Sequence, residues 1–532
     1  MKRILLLLWL LASSCSGLQA QRTTLRTNLL FWGTTTPNAG VEFSLGRNFT
    51  LVLDGGYNAW EFSNDMKLNL AFAQPEIRYW FCRRFEGHFI GLHGHYAHFN
   101  IGQIDFIPCM KEYKAYWDDG AQMIAPHDKN TIAEVNKIRN ASEIKFKGNK
   151  ELIEIIGQAI DDEYIKELTT ISLSPEAISR HKDMKIVYTP IHGTGVKLVP
   201  AALKAYGFTN IIHVPEQDVV SGDFPTVISP NPEEPAALAM AVEKAKETDA
   251  ELVMASDPDA DRVGAAVKNN EGEWVLLNGN QTALMFVYYL IIRWKELGKI
   301  NGKEYIVKTI VTTETIKTIA ERNGVEMYDV YTGFKWIANV MRENEGKKNY
   351  IGGGEESYGF LCEDFVRDKD AVSACVILAE IAAWAKDQGL SLYQLLQKIY
   401  VEYGFSKEKG ISVVKKGKSG AEEIEAMMKK FRENPLTEIA GSKVTYFYDY
   451  STLKGKDYAE NETVTLDMPT TSNVLQYFTE DNTKVSIRPS GTEPKIKFYC
   501  EVHSKVKSID ELPEAEKAAE EKINQIKASL GI

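Results

Sequence analysis

The stretch Glu251-Leu252-Val253-Met254-Ala255-Ser256-Asp257-Pro258-Asp259-Ala260-Asp261-Arg262 runs from an apolar strand straight into a loop with three carboxylates at alternate positions. A short apolar run bounded by a polar loop reads as a buried strand, and α/β folds bind ligands at the C-terminal ends of such strands. Working outward, Pro235 to Thr248 is Ala- and Glu-rich and reads as a helix. Before it come a strand at Asn210–Val214, a helical pattern ending at Tyr206, and a strand at Lys185–Tyr188 that opens into Thr189-Pro190-Ile191-His192-Gly193-Thr194-Gly195. Similar units run from Tyr305 to Phe360. Strands alternating with helices predict stacked α/β domains with largely parallel sheets. From Phe405 the pattern becomes mixed strands with two charged helices, a smaller α+β domain closed by a surface helix from about Pro513 to Leu530.

The whole chain has 532 residues, 44% of them hydrophobic, which excludes a disordered or collagen-like protein and allows several domains. Its 62 Lys and Arg against 73 Asp and Glu leave a net charge of −11, which argues against a general nucleic-acid binder. Cys15, Cys82, Cys109, Cys362, Cys375 and Cys500 form no CxxC pair and no metal-ligand spacing, so free thiols are expected, at least for the last three.

The N-terminus reads differently. Met1-Lys2-Arg3, an apolar run from Ile4 to Ala12 and small residues beyond it have the layout of a secretory signal peptide, cleaved after about Ala20. From Gln21 to about Phe106 aromatics crowd in, and short alternating stretches such as Val41–Leu45 and Thr50–Asp54 are separated by Gly and Asn turns. That pattern predicts antiparallel strands, an envelope β-sheet or part of an outer-membrane barrel, with a soluble sandwich as the alternative. This stretch resembles a family of small exported bacterial proteins of unknown function, and it is the one part where membrane contact is expected.

Three motifs carry chemistry. Asp257, Asp259 and Asp261 can turn toward one hard cation such as Mg²⁺, which takes oxygen ligands. An EF-hand is excluded because its sixth and twelfth positions would be Arg262 and Lys268. A plain acidic turn is the alternative. In Ile351-Gly352-Gly353-Gly354-Glu355-Glu356-Ser357-Tyr358-Gly359 the glycines would let the backbone approach a ligand, and Glu355 and Ser357 could bond sugar hydroxyls. In Arg488-Pro489-Ser490-Gly491-Thr492-Glu493-Pro494 a guanidinium, two hydroxyls and a turn N–H suit a phosphate dianion, with a capped hairpin turn as the alternative.

In their order and spacing these motifs resemble the phosphohexomutases, the α-D-phosphoglucomutase/phosphomannomutase superfamily, from about Lys111 to the C-terminus. Tyr331-Thr332-Gly333-Phe334-Lys335-Trp336 resembles a further loop of that family. The resemblance implies tandem α/β domains plus a C-terminal α+β domain, here preceded by a signal peptide and an antiparallel β segment. It implies a reversible phosphoryl shift between the 1- and 6-positions of a hexose phosphate, with Mg²⁺ as cofactor and glucose 1,6-bisphosphate as activator. Asp257, Asp259 and Asp261 would hold the metal, and Arg262 would sit beside the transferring phosphoryl group. Lys335 would touch phosphate or help move a proton. Glu355 and Ser357 would read hydroxyls, while Arg488, Ser490, Gly491 and Thr492 would grip the distal phosphate.

The chain departs from that pattern in two places. Where many relatives carry a histidine after the sugar-loop serine, it has Gly359. The family's phosphoserine loop, T-A-S-H-N-P, is absent; only the segment that follows it is matched, by Lys111-Glu112-Tyr113-Lys114-Ala115-Tyr116, so impaired activity is expected. Ser229-Pro230-Asn231-Pro232 lies too far along the chain to replace it. The expected layout is a signal peptide over 1–20, a β-rich domain over 21–108, a remnant of the first mutase domain over 109–177, second and third domains over 178–270 and 271–402, and a fourth over 403–532. The leader points to export into the envelope, whereas the resemblance of the rest implies the cytoplasm. A fusion of two gene fragments accounts for that conflict.

Overall fold

A computed structural model describes all residues except 1–22, 28–37, 62–66, 82–87, 94–95, 102–113, 145–146, 416 and 491–493. The expected leader, Cys15, Cys82, Cys109, Gly491 and Thr492 lie outside the described residues. The chain divides into two compact units between Lys111 and Glu112.

The first unit is an antiparallel sheet. Its strands run in the order Thr23–Arg26, Asn38–Ser44, Phe49–Glu61, Lys67–Trp80 and Phe89–His93, with Tyr96–Ile101 also paired to Lys67–Trp80. The two longest strands pair from Phe49↔Tyr79 to Glu61↔Lys67. Alternation sets one face against the other, as a period of two demands. Thr50, Val52, Glu76, Arg78 and Trp80 are buried, whereas Phe49, Leu53, Ile77 and Tyr79 are exposed.

The second unit holds three sheets. In the first, Ile186–Thr189 lies between Ile211–His213 and Leu252–Ser256, parallel to both; Val263–Lys268 and Trp274–Leu277 extend it antiparallel, so the sheet is mixed rather than largely parallel. In the second, Glu304–Thr309 lies between Glu326–Val330 and Asn349–Gly354, parallel to both, with Phe360–Cys362 antiparallel at one edge. In each sheet the chain leaves the middle strand toward one side and returns to the other. The loops after the middle strand and its later neighbour therefore flank a topological switch point, where α/β sheets bind ligands. The acidic loop follows Leu252–Ser256 and the glycine-rich loop follows Asn349–Gly354. The third sheet is antiparallel and eight-stranded, and the final helix Leu512–Leu530 packs on it through Ala519, Ile523 and Ile526.

The helices Gly279–Glu296 and Ala371–Asp387 are buried almost all round and form the centre of the largest apolar cluster. The expected remnant of a first domain, 109–177, splits in two. Up to Ile160 most of its described large apolar residues are exposed, Ile132, Leu152, Ile153 and Ile155 among them, although Ala121 is buried. From Leu168 onward, Ile171, Leu173, Ala177 and Ile178 join that central cluster against Gly195–Tyr206 and Ala371–Asp387. Cys362, Cys375 and Cys500 are buried free thiols, as expected. No helix among the described residues is long and apolar enough to cross a membrane.

Candidate functional site

Asp257, Asp259 and Asp261 present carboxylate oxygens within 4.8 Å of one another. The turn that gathers them is fixed locally. Asp257 Oδ1 accepts the backbone N–H groups of Asp261 and Arg262, each at 3.0 Å, and Ala260 takes a left-handed φ of 55°. The loop after Ile186–Thr189 supports it from below, since Thr194 N–H donates to the Pro258 carbonyl at 2.9 Å. Burial, then the neighbouring charges of Asp261 and Asp259, push the Asp257 carboxyl up to about 8. Burial works against the Asp261 carboxylate too, but the ammonium groups of Lys369 and Lys114 outweigh it and hold it below its ordinary range. Lys114 Nζ lies 2.5 Å from both Asp259 Oδ2 and Asp261 Oδ2, and Lys369 Nζ 2.6 Å from Asp261 Oδ2. An all-carboxylate cluster that draws in two ammonium groups and still leaves Asp257 under-compensated fits a hard divalent cation.

Arg262 leaves the same loop. Its Nε is buried without a hydrogen-bond partner and lies 3.7 Å from Asp257 and 3.6 Å from Asp261, while its guanidinium approaches Glu233 at 3.9 Å. A buried guanidinium N–H with no acceptor can take an anionic oxygen.

The acidic and glycine-rich loops are joined by backbone. Arg262 and Gly359 form an antiparallel bridge, Val263 N–H donates to the Tyr358 carbonyl, and Ala371 N–H donates to that of Ala260. The glycines do a different job from the one expected. Gly352, Gly353 and Gly354 are a buried strand, and a Cβ on Gly353 would meet the Val307 carbonyl at 2.4 Å, so they allow close sheet packing rather than ligand approach. Gly279 seats the loop beyond them, since a Cβ there would lie 2.0 Å from the Glu356 carbonyl oxygen. Glu355 is buried and accepts the Gly333 N–H at 2.7 Å, which fixes the Tyr331–Trp336 loop to the same place. Burial and then the neighbouring Glu356 raise its carboxyl to about 7.

Ser357 opens into a cavity with Glu356, Tyr358, Lys497 and Tyr499 around it. Glu356 accepts the Thr309 hydroxyl at 3.0 Å, and burial raises its pKa. Arg488 and Lys497 stand directly opposite each other on paired strands and so share one face. Arg488 reaches the Tyr499 hydroxyl, and Ser490 N–H closes the hairpin on the Lys495 carbonyl at 2.7 Å. Lys335 opens the helix Phe334–Asn344, with its ammonium 5.3 Å from the centre of the Trp336 ring.

Lys114, Lys369, Glu356, Lys497 and Tyr499 were not singled out in the sequence. Lys497 carried a usable signal, since its strand pairs with the one bearing Arg488. Lys114 lies 145 residues from Asp259, and although it belongs to the matched Lys111–Tyr116 segment, nothing in that segment shows that it reaches the aspartates.

Models of the phosphoglucomutase/phosphomannomutase α/β/α domain II, α/β/α domain III and C-terminal domain match residues 162–272, 278–403 and 413–519. A phosphoglucomutase of Staphylococcus haemolyticus is 34% identical over 395 residues, spanning 73% of this chain and 70% of that protein. The chain belongs to the phosphoglucomutase/phosphomannomutase family. A phosphoglucomutase of Staphylococcus aureus is 35% identical to this family member over 390 residues, 73% of this chain and 69% of that one. Among solved structures, a putative phosphomannomutase from Thermus thermophilus is 19% identical with a TM-score of 0.46, over 68% of this chain and 66% of that one. The domain II match begins at residue 162, close to Leu168, where the side chains of the central apolar cluster begin. Residues 4–124 match a protein family of unknown function, DUF3575.

Proposed function

We propose that the second unit binds a hexose phosphate and carries the phosphohexomutase reaction, 1-phosphate to 6-phosphate, at a greatly reduced rate. The observation that carries this reading is the convergence of the acidic, glycine-rich and Tyr331–Trp336 loops, tied by the Arg262–Gly359 bridge and the Gly333–Glu355 hydrogen bond. Asp257, Asp259 and Asp261 would hold Mg²⁺, which when bound neutralises charge on a transferring phosphoryl group. Arg262 offers its unpaired Nε–H to a phosphoryl oxygen. Ser357, with Glu355 or Glu356, orients sugar hydroxyls. Arg488, Ser490, Gly491 and Thr492, now joined by Lys497, take the distal phosphate, and Lys335 supplies a further cation. Glucose 1,6-bisphosphate fits the same set of groups because it carries a phosphate for each end.

The reduction in rate follows from the sequence. No Ser-His-Asn occurs in the chain, so it holds no residue matching the family's phosphoryl carrier. That observation also favours a second reading, a Mg²⁺-dependent sugar-phosphate binder without turnover. Calorimetric titration of the full chain with glucose 1-phosphate, with and without Mg²⁺, tests the binding that both readings share. Saturable heat that is lost in Arg488→Ala supports them; no heat at millimolar ligand overturns both.

A further inference from the structure

We propose that the outward face of the N-terminal sheet is a lipid-facing surface, and that this unit seats in the hydrocarbon of a phospholipid bilayer. The argument begins with which face is hidden. On the concealed face, Arg78 lies 3.2 Å from Glu42 and 2.7 Å from Glu76. Thr50 donates to Glu42 at 2.6 Å, and the Trp80 indole donates to Thr50 at 2.9 Å. Arg26 extends the same network toward Glu42 and Asp54, at 3.8 and 3.6 Å. A water-soluble sheet hides its apolar face and shows its polar one. This sheet hides its charged side chains together with Val52 and Trp80 and turns its other large apolar side chains outward.

The exposed face is apolar in continuous cross-strand rows. One row is Leu25, Val41, Leu53 and Pro75, paired in that order across four strands. The next is Phe43, Leu51, Ile77 and Leu92, and the third is Phe49, Tyr79 and Ile90. Leu92 is 82% exposed, Ile90 65% and Leu25 61%, and they belong to a contiguous apolar patch rather than standing singly, which is what marks an interaction surface. Aromatics mark the ends of the belt. Phe49, Tyr79 and Phe81 cluster at one end, with ring centres 5.1 and 5.8 Å apart, and Tyr57 stands at the other. Aromatic girdles around an aliphatic band, with charge on the inner face, are what hydrocarbon selects in a β-sheet.

Length and hydrogen bonding agree. From Phe49 to Tyr57 the outward positions span nine residues, close to the roughly 9–11 that a tilted strand needs to cross the hydrocarbon. The three strands that carry most of the rows, Asn38–Ser44, Phe49–Glu61 and Lys67–Trp80, are each paired on both sides, while Leu25, Ile90 and Leu92 lie on the strands that end the described order. Residues 1–111 carry 10 Lys and Arg against 7 Asp and Glu, so uncharged lipid and high salt are needed to show that attachment rests on apolar contact.

The test is flotation of the full chain with uncharged phosphatidylcholine vesicles in 1 M NaCl. The expected result is co-flotation that survives the salt and falls at least tenfold in the double variant Leu53→Lys, Ile77→Lys, because each buried lysine is costly in hydrocarbon. Circular dichroism melting of the double variant checks that the sheet still folds, which two exposed substitutions allow. Ile155→Lys, at a still more exposed apolar site of the second unit, should float like the parent. Three outcomes overturn the proposal: no flotation, flotation unchanged in the double variant, or an equal loss in Ile155→Lys. A lipid-free dimer that dissociates in the double variant, together with no flotation, would assign the face to a second copy instead.

Discussion

The two units of this chain bury opposite chemistries. In the first, Glu42, Thr50, Glu76 and Arg78 lie under the sheet while Leu53, Ile77 and Leu92 face outward. In the second, Leu203, Val253 and Phe286 are fully buried, and charge enters the interior at a seam between two sheets. There Lys484 meets Glu314 at 2.6 Å and Glu501 at 3.0 Å, and Lys308 meets Asp329 at 2.6 Å. One apolar fraction therefore serves two solvents. The second unit is stabilised by removing aliphatic surface from water, whereas the first holds its shape by ion pairs and strand pairing and leaves its aliphatic surface for something else to cover.

Substitutions can break that contrast, and the largest effect is expected at the seam. Lys484→Met should destabilise the second unit by about 3–5 kcal/mol, because Glu501 is left buried without its cation and Glu314 keeps only Lys308. Calorimetric melting should show the drop in one transition only. Arg78→Met should do the same to the first unit, at the lower end of that range, by setting Glu42 against Glu76. A matched pair of truncations sharpens the comparison. Leu203→Ala, at a fully buried site, should cost about 2–5 kcal/mol, and Leu53→Ala, 48% exposed, under about 0.5 kcal/mol in lipid-free buffer. Equal costs would mean that the first sheet hides its aliphatic face after all.

Glu355 gives a pH test confined to the second unit. Its carboxyl is raised from 4.5 to about 7, so between those values the folded state holds a proton that the unfolded state has lost. Stability from this group is therefore greatest at low pH and falls as pH rises through that window, by at most about 3 kcal/mol. Glu355→Gln should remove this slope, so its melting temperature should gain on that of the parent chain from pH 5 to pH 8. The smallest effect concerns Lys114, whose ammonium bridges Asp259 and Asp261. Mg²⁺ should raise the melting temperature of the full chain, Asp259→Ala should abolish most of that rise, and Lys114→Met should enlarge it by about 1–2 °C because a divalent cation no longer has to displace the ammonium.

Much of the second unit was legible in its local patterns. The helix at Pro235–Thr248 stands where its composition placed it, and the acidic loop follows Leu252–Ser256 as the apolar run implied. The antiparallel strands around Val41–Leu45 and Thr50–Asp54 were equally plain. Which face of that sheet is hidden was not legible, because period-two alternation looks the same whether its polar or its apolar set points inward. Lys114 and Lys369 were missed because each reaches the aspartates from a distant part of the chain. The glycines at 352–354 were misread because a glycine that admits a neighbouring strand looks, in sequence, like one that admits a ligand.

The most direct test of the functional account is a coupled assay of glucose 1-phosphate conversion by the full chain, with Mg²⁺ and glucose 1,6-bisphosphate present. The intact Staphylococcus haemolyticus phosphoglucomutase would be run beside it. Without a serine carrier, turnover should fall at least about a thousandfold below that relative. Turnover within tenfold of it would contradict the account and show that another group in the chain carries the phosphoryl.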